Sequence, residues 1–221
     1  HVAIGYERGH DAAEETARAV RAEGVGALPV QLDTSIEDQV EHLFDVVRRE
    51  LGPVTGLVNN AGVTGPLGRF TETPTDVMRR VLDVNVLGAL LCARRALLEM
   101  SRSYGGDGGC VVNISSGAAT LGAPGEYVHY AASKAAVDAM TVGLAKEFGP
   151  EGVRVNSVQP GAVLTGMHAA MGDPDRPWKK AEAIPLRRPG EPEEIANAVA
   201  WLMSDEASFT TGAVLRVSGG V

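Results

Sequence analysis

The chain has 221 residues, carries 28 acidic against 20 basic side chains, and has a formal net charge of −8. At 23.1 kDa with a mean hydropathy near zero, it is long enough for one sizeable core and fits neither a disordered nor a membrane protein. A pI near 5.2 and the lack of any Lys/Arg block argue against a nucleic-acid partner, because phosphate binding needs a basic stripe.

The longest apolar runs, such as residues 89–93, fall far short of the roughly 18 residues needed to cross a bilayer. No export signal is visible. Cys92 and Cys110 form neither a disulfide framework nor a metal-ligand cluster, so they read as buried thiols in a reducing cytoplasm, with no metal site.

Short β-rich runs alternate with helical patterns, which predicts an α/β fold with a parallel sheet and helices on both faces. A strand at Val2–Tyr6 precedes a helix at Ala12–Glu23, a strand at Ala27–Leu32 and a helix at Ile36–Leu51. In that second helix Val40, Leu43, Phe44 and Val47 share one face. Ser35 is its expected N-cap, with Asp38 completing an approximate capping box. A strand at Gly56–Asn59 leads to one long helix, Pro74–Arg102. The run Gly105-Gly106-Asp107-Gly108-Gly109 then breaks the chain before a strand at Cys110–Ser115. A helix at Tyr127–Gly149 and a strand at Arg154–Gln159 follow. Leu164–Gly190, rich in Pro, Gly and charge, has the length and irregularity of a functional lid. A helix at Glu193–Ser204 and a strand at Ala213–Val217 end the chain. With no internal repeat or linker, residues 1–221 read as a single domain.

Tyr130 and Lys134 stand four residues apart, on one face of a helix, so the ammonium can approach the phenol. A free tyrosine, with a pKa of about 10, is a weak base near neutrality; a neighbouring cation favours the phenolate. Taken alone, such a pair is more often a packed tyrosine beside a surface lysine. Ser116 follows the Cys110–Ser115 strand at the carboxyl edge, where open α/β sheets place ligands, and its hydroxyl can donate to an oxygen gaining charge. Ser115 is its rival. Asn85 is a polar residue in a helix that otherwise packs. Asn59-Asn60-Ala61-Gly62 suits a strand-to-loop turn in which Gly62 allows close backbone approach.

These pieces in order, with Pro160-Gly161 and the closing Ser218-Gly219-Gly220, resemble the short-chain dehydrogenase/reductase family over residues 1–221, nearest its 3-oxoacyl-reductase and glucose-dehydrogenase members. The resemblance implies a doubly wound Rossmann-type sheet and hydride transfer between NAD(P)(H) and a secondary alcohol or ketone. Ser116, Tyr130, Lys134 and Asn85 would be the catalytic residues, with Tyr130 as general acid/base. Lys134 would also bond the nicotinamide ribose, and Asn85 would open its helix locally and anchor a water serving Lys134. Asn59, Ala61 and Gly62 would face the cofactor and steady the central sheet, while Asp33 would contact the adenine. Pro160, Gly161, Val163 and Thr165 would grip the nicotinamide carboxamide. Most family members separate the serine and tyrosine by about one residue less than here, implying a small insertion in Leu121–His129 and favouring Ser116 over Ser115.

One part of the family pattern is missing. No glycine-rich turn runs into a helix N-terminus, where a pyrophosphate would be held. The resemblance implies a first strand, glycine loop and first helix upstream of His1. That strand would lie between those beginning at Val2 and Gly56, so its loss should leave a gap of about 9–10 Å. A sheet so divided is not expected to be stable, which implies upstream residues in the protein.

Coenzyme choice rests on the end of the first strand, where Glu7-Arg8 follow Gly5-Tyr6. Arg8 could pair with a 2′-phosphate, which favours NADP over NAD. The substrate pocket should draw on Val63–Leu67, Leu121–His129 and Leu164–Gly190, with Glu126, His129, His168 and Trp178 as its polar and aromatic content. That surface suits a neutral alicyclic ketone, 3-oxoacyl group or sugar. The two long helices carry more apolar side chains than one sheet face covers, so a homodimer or homotetramer is expected. Two rivals stand against this enzyme: a non-catalytic dinucleotide sensor or scaffold of the same fold, and a dehydratase or epimerase, which usually has a longer chain.

Overall fold

The computed structural model describes residues 1–221. In chain order the elements are β1 (Val2–Tyr6), α1 (His10–Ala22), β2 (Ala27–Gln31), α2 (Glu37–Leu51) and β3 (Gly56–Asn59). Next come α3 (Thr75–Leu82), a π-helical turn (Asp83–Gly88), α4 (Ala89–Met100), β4 (Gly109–Ile114), α5 (Ala118–Leu121) and α6 (Val128–Phe148). The chain ends with β5 (Val153–Pro160), α7 (Met167–Ala170), α8 (Arg176–Lys180), α9 (Pro192–Met203) and β6 (Val214–Val217).

Local chemistry explains most of these boundaries. Helix α2 buries Val40, Phe44 and Val47, starts with Glu37 and Asp38 and ends with Arg48 and Arg49, charges that complement its dipole. Its N-cap is not Ser35 but Ile36, which offers no side-chain cap. Ser35 is drawn elsewhere: its N–H and hydroxyl donate to Asp33 Oδ1 at 2.9 and 2.6 Å, and a carboxylate is the stronger acceptor. Helix α9 does have a reciprocal capping box, Glu191 with Glu194, and Pro192 within its first turn.

All paired strands run parallel, and β4 and β5 are the most deeply buried, with Val111, Val112, Val153, Val155 and Val158 almost fully enclosed. Residues of α2, α4 and α6 pack with Val111 and Val155 on one face; Leu202 of α9 joins Cys110, Val112 and Val158 on the other. This is the doubly wound arrangement expected. Both cysteines are buried within it, and burial raises the Cys92 thiol pKa to about 11.

The sheet is divided as a missing central strand implies: β1 pairs only with β2, and β3-β4-β5-β6 form a separate set. Between β1 and β3 lies a cavity of about 900 Å³, walled by Val2, Leu43, Phe44, Val47 and Leu57 and opening past Asp33, Asn60 and Gly62. The helix expected over Pro74–Arg102 is opened by a π turn around Asn85, as the resemblance implied for that asparagine. Residues 164–190 are not wholly irregular, since they contain α7 and α8. The segment is closed at its base, where Leu164 N–H donates to the Gly190 carbonyl and Gly190 N–H to the Ala162 carbonyl, both at 2.9 Å.

Candidate active site

The π turn places Asn85 side-on to the loop after β3. Its Oδ1 accepts from Val63 N–H at 2.8 Å, and its Nδ2 donates to the Val63 carbonyl at 2.9 Å and to Ser133 Oγ at 3.0 Å. Ser133 Oγ in turn donates to the Tyr130 carbonyl at 2.7 Å. One buried amide therefore ties the Asn59–Gly62 turn to α6. Gly62 lies under this junction: a Cβ there would come within 3.3 Å of Lys134 Nζ and 3.4 Å of Asn85 Oδ1. A side chain at this position would crowd the ammonium and the Asn85 amide by a few tenths of an ångström.

Tyr130 and Lys134 do share a face of α6, and both are buried. Lys134 Nζ stands 5.8 Å from the Tyr130 ring centroid and donates to the Ile114 carbonyl at 2.7 Å. The expected electrostatics, however, are reversed. Burial pushes the Tyr130 phenol up to about 12, against the opposing pull of the Ser116 hydroxyl and of Arg176. Burial holds Lys134 down at about 8, with Asp138 partly offsetting it. Desolvation outweighs attraction here because the ammonium lies over the ring and is committed to a backbone carbonyl.

The two serines separate cleanly. Ser115 is fully buried and donates to the Lys134 carbonyl at 3.1 Å, so its hydroxyl is spent on holding α6 to β4. Ser116 is half-buried, accepts from Ala118 N–H at 3.2 Å, and lies beside the Tyr130 phenol.

The residues expected to meet a cofactor fall into two groups. Asn60, Ala61, Gly62 and Asp33 line the upper part of the cavity, as do Glu7 and Arg8. Asn59 borders it too, but its Nδ2 is engaged inside the fold by the Ala89 carbonyl and Asn113 Oδ1, so its side chain braces the sheet. Asp33 is not free: Oδ1 accepts from Ser35 and Oδ2 from Arg80 at 2.7 Å. Burial would raise its pKa, yet those hydrogen bonds from Ser35 and Arg80 outweigh it and hold the carboxyl below its ordinary value. At the other end, Gly161 lies so close to the terminal segment that a Cβ would meet Ser218 Cα at 2.8 Å. Pro160 ends β5, Val163 is buried, and Thr165 is exposed.

Residues 1–221 match the family described as Enoyl-(Acyl carrier protein) reductase. An uncharacterized oxidoreductase of Escherichia coli K12, YgfF, is 42% identical over 219 residues, covering 99% of this chain and 89% of that one. The chain is a short-chain dehydrogenase/reductase. A blue fluorescent protein from a metagenomic library, solved with NADPH, superposes with a TM-score of 0.88 at 32% identity, covering 99% of this chain and 86% of that one. An NAD⁺-bound xylitol dehydrogenase gives 0.88 and 32%, covering 99% and 88%. This reductase is therefore an NAD(P)-dependent oxidoreductase with a Rossmann-type fold, and the reading as a non-catalytic sensor is not favoured.

Two site residues of this dehydrogenase/reductase, Arg80 and Arg176, escaped the sequence reading. Arg80 of α3 joins Asp33, Ser35 and Glu7 into one cluster at the cavity rim. Arg176 of α8, itself buried, pairs with Glu126, which also accepts from Lys180 at 2.6 Å. His129 and His168 turn their Nε2 atoms to the carbonyls of Thr64 and Val163, at 2.8 and 2.9 Å, and leave both Nδ1 atoms buried without partners. No group of three or more His, Cys, Asp or Glu is arranged to hold a metal, and no helix is long and apolar enough to cross a membrane.

Proposed function

We propose that this enzyme interconverts a secondary alcohol and its ketone, that residues 1–221 form one dinucleotide-binding domain, and that residues 164–190 are its substrate lid. Tyr130 gives its phenolic proton to the carbonyl oxygen in reduction and takes it back in oxidation. Ser116 donates to that same oxygen as charge develops. Lys134, with two N–H donors beyond the one on Ile114, holds the ribose hydroxyls and stabilises the ionised tyrosine through them. Asn85 keeps the Gly62 turn and α6 in register and anchors the water that serves Lys134. The bound dinucleotide supplies the hydride; the chain supplies the proton, the orientation and a dry pocket. The observation that carries this reading is Ser116, Tyr130, Lys134 and Asn85 meeting where β3, β4 and α6 come together, against the Gly62 turn that borders the cavity.

The residues present fit a dinucleotide at its two ends. Gly62 clears a path to Lys134, and the rim formed by Asp33 and Arg80 can flank an adenine. Ala61 adds backbone beside the ribose, while Pro160, Gly161, Val163 and Thr165 stand where a carboxamide would be gripped. Arg8 is 89% exposed, and its ion pair with Glu7, at 3.7 Å, is shared with Arg80, so its guanidinium can turn to a 2′-phosphate, which favours NADP over NAD. The lining suits neutral alicyclic ketones, 3-oxoacyl groups or sugars. The assignment implies a cytoplasmic enzyme that assembles as a homodimer or homotetramer.

The test is NADPH and NADH oxidation against a ketone panel of those three classes. Wild type should turn over at least one, with a higher kcat/KM for NADPH, and Tyr130→Phe should cost about 10²–10⁴-fold. Turnover that persists in Tyr130→Phe removes that residue from its role, and a strong NADH preference removes Arg8.

A further inference from the structure

Few charges face Tyr130. Lys134 lies over its ring, Ser116 is neutral, and His129 is turned toward Thr64. Helices α3 and α5 contribute Val81 and Ala118, and the 164–190 segment contributes Met171. His168 of α7 is turned to the Val163 carbonyl. The remaining charge is Arg176, only 8% exposed, in the first turn of α8. Its guanidinium stands 5.1 Å from the centroid of the Tyr127 ring, and Tyr127 meets Tyr130 edge-on with centroids 5.1 Å apart and an interplanar angle of 83°. Glu126 is bonded to the same guanidinium.

We propose that Arg176 is a positioning residue for the reaction: reaching in from the 164–190 segment, it fixes Tyr127 against Tyr130 and lends positive potential to the phenol, with Glu126 setting how much. This rests on Tyr130 being the acid/base. A guanidinium over an aromatic face is held by the ring quadrupole, and an edge-to-face pair fixes the second ring. A positive charge at that remove, in a site largely closed to water, favours the phenolate. Arg176 and Ser116 lower the Tyr130 pKa, in opposition to burial and to the neighbouring Tyr127. Because the cation arrives on a separate segment, the phenol gains this help only when that segment is seated. Lid closure and chemical readiness become one event.

The experiment measures kcat/KM for alcohol oxidation against pH, with coenzyme saturating, in wild type, Arg176→Met, Arg176→Lys and Glu126→Gln. Activity rises with pH as Tyr130 ionises. Arg176→Met should move that rise to higher pH by about half a unit or more. Arg176→Lys should restore most of it, and Glu126→Gln should move it to lower pH. A packing role alone would raise KM in every variant and leave the rise in place, and that result overturns the proposal. If Arg176→Met gives no measurable rate, an unmoved rise in the other two variants overturns it equally. Tyr130→Phe is run alongside: surviving turnover there defeats the acid/base assignment, whereas an unmoved rise with Tyr130 essential defeats only the role of Arg176.

Discussion

A lysine whose pKa burial lowers to about 8, against an ordinary 10.5, is a cost to the fold at neutral pH. Between those two values the unfolded chain holds a proton that the folded one has lost, so stability should rise as pH climbs from about 8 to 10.5. Tyr130 acts in the opposite sense between 10 and about 12, where the folded state holds the extra proton and stability falls. Lys134→Met should therefore melt no lower than wild type at pH 7, with a gain of up to about 3 kcal/mol less the lost Ile114 hydrogen bond. That advantage should shrink as melting curves are taken at rising pH through the same window. A variant that melts well below wild type at pH 7 would contradict it. The Tyr130–Lys134 pair was legible in the sequence because four-residue spacing fixes a shared helix face. The sign of its electrostatics was not, because burial is a property of the assembled layers. Arg80 and Arg176 were illegible for a related reason: their acidic partners Asp33 and Glu126 lie 47 and 50 residues away.

At the scale of elements, the π turn shows how one side chain reshapes a helix. Residues 83–88 have no proline to break them, and their apolar neighbours read as continuous helix. What interrupts the helix is Asn85 offering the loop at Val63 a better set of hydrogen bonds than water could, inside a buried site. Asn85→Ala would strand both Val63 backbone groups, at a cost of about 1–3 kcal/mol for each group left unsatisfied. We expect a lower melting temperature together with a fall in kcat, since the turn carrying Gly62 would lose its register against Lys134. Unchanged melting would show that the turn is held by something else. Other boundaries were readable: α6 and β3 fall within one residue of the sequence expectation. Helix α5 was missed because four residues between Gly117 and Gly122 carry no periodicity.

For the whole molecule, alternation of strands and helices gave the doubly wound order of layers, since each element buries one face locally. The division of the sheet into two sets was expected from a missing strand, and the cavity stands where that strand's neighbours face each other. The apolar excess read on the two long helices lies at the surface. Leu82, Leu87, Leu90 and Leu98 remain exposed along α3, the π turn and α4, as do Val128 and Val142 on α6. Sedimentation equilibrium should give a particle of two or four times the mass of a single chain, and a monomer at micromolar concentration would remove the proposed assembly. The buried thiols have a practical corollary. With Cys92 and Cys110 both shielded and pushed toward the unreactive protonated form, a single cysteine introduced at exposed Trp178 would be the only one open to maleimide dyes. Movement of the proposed lid could then be tested by fluorescence without first rebuilding the interior.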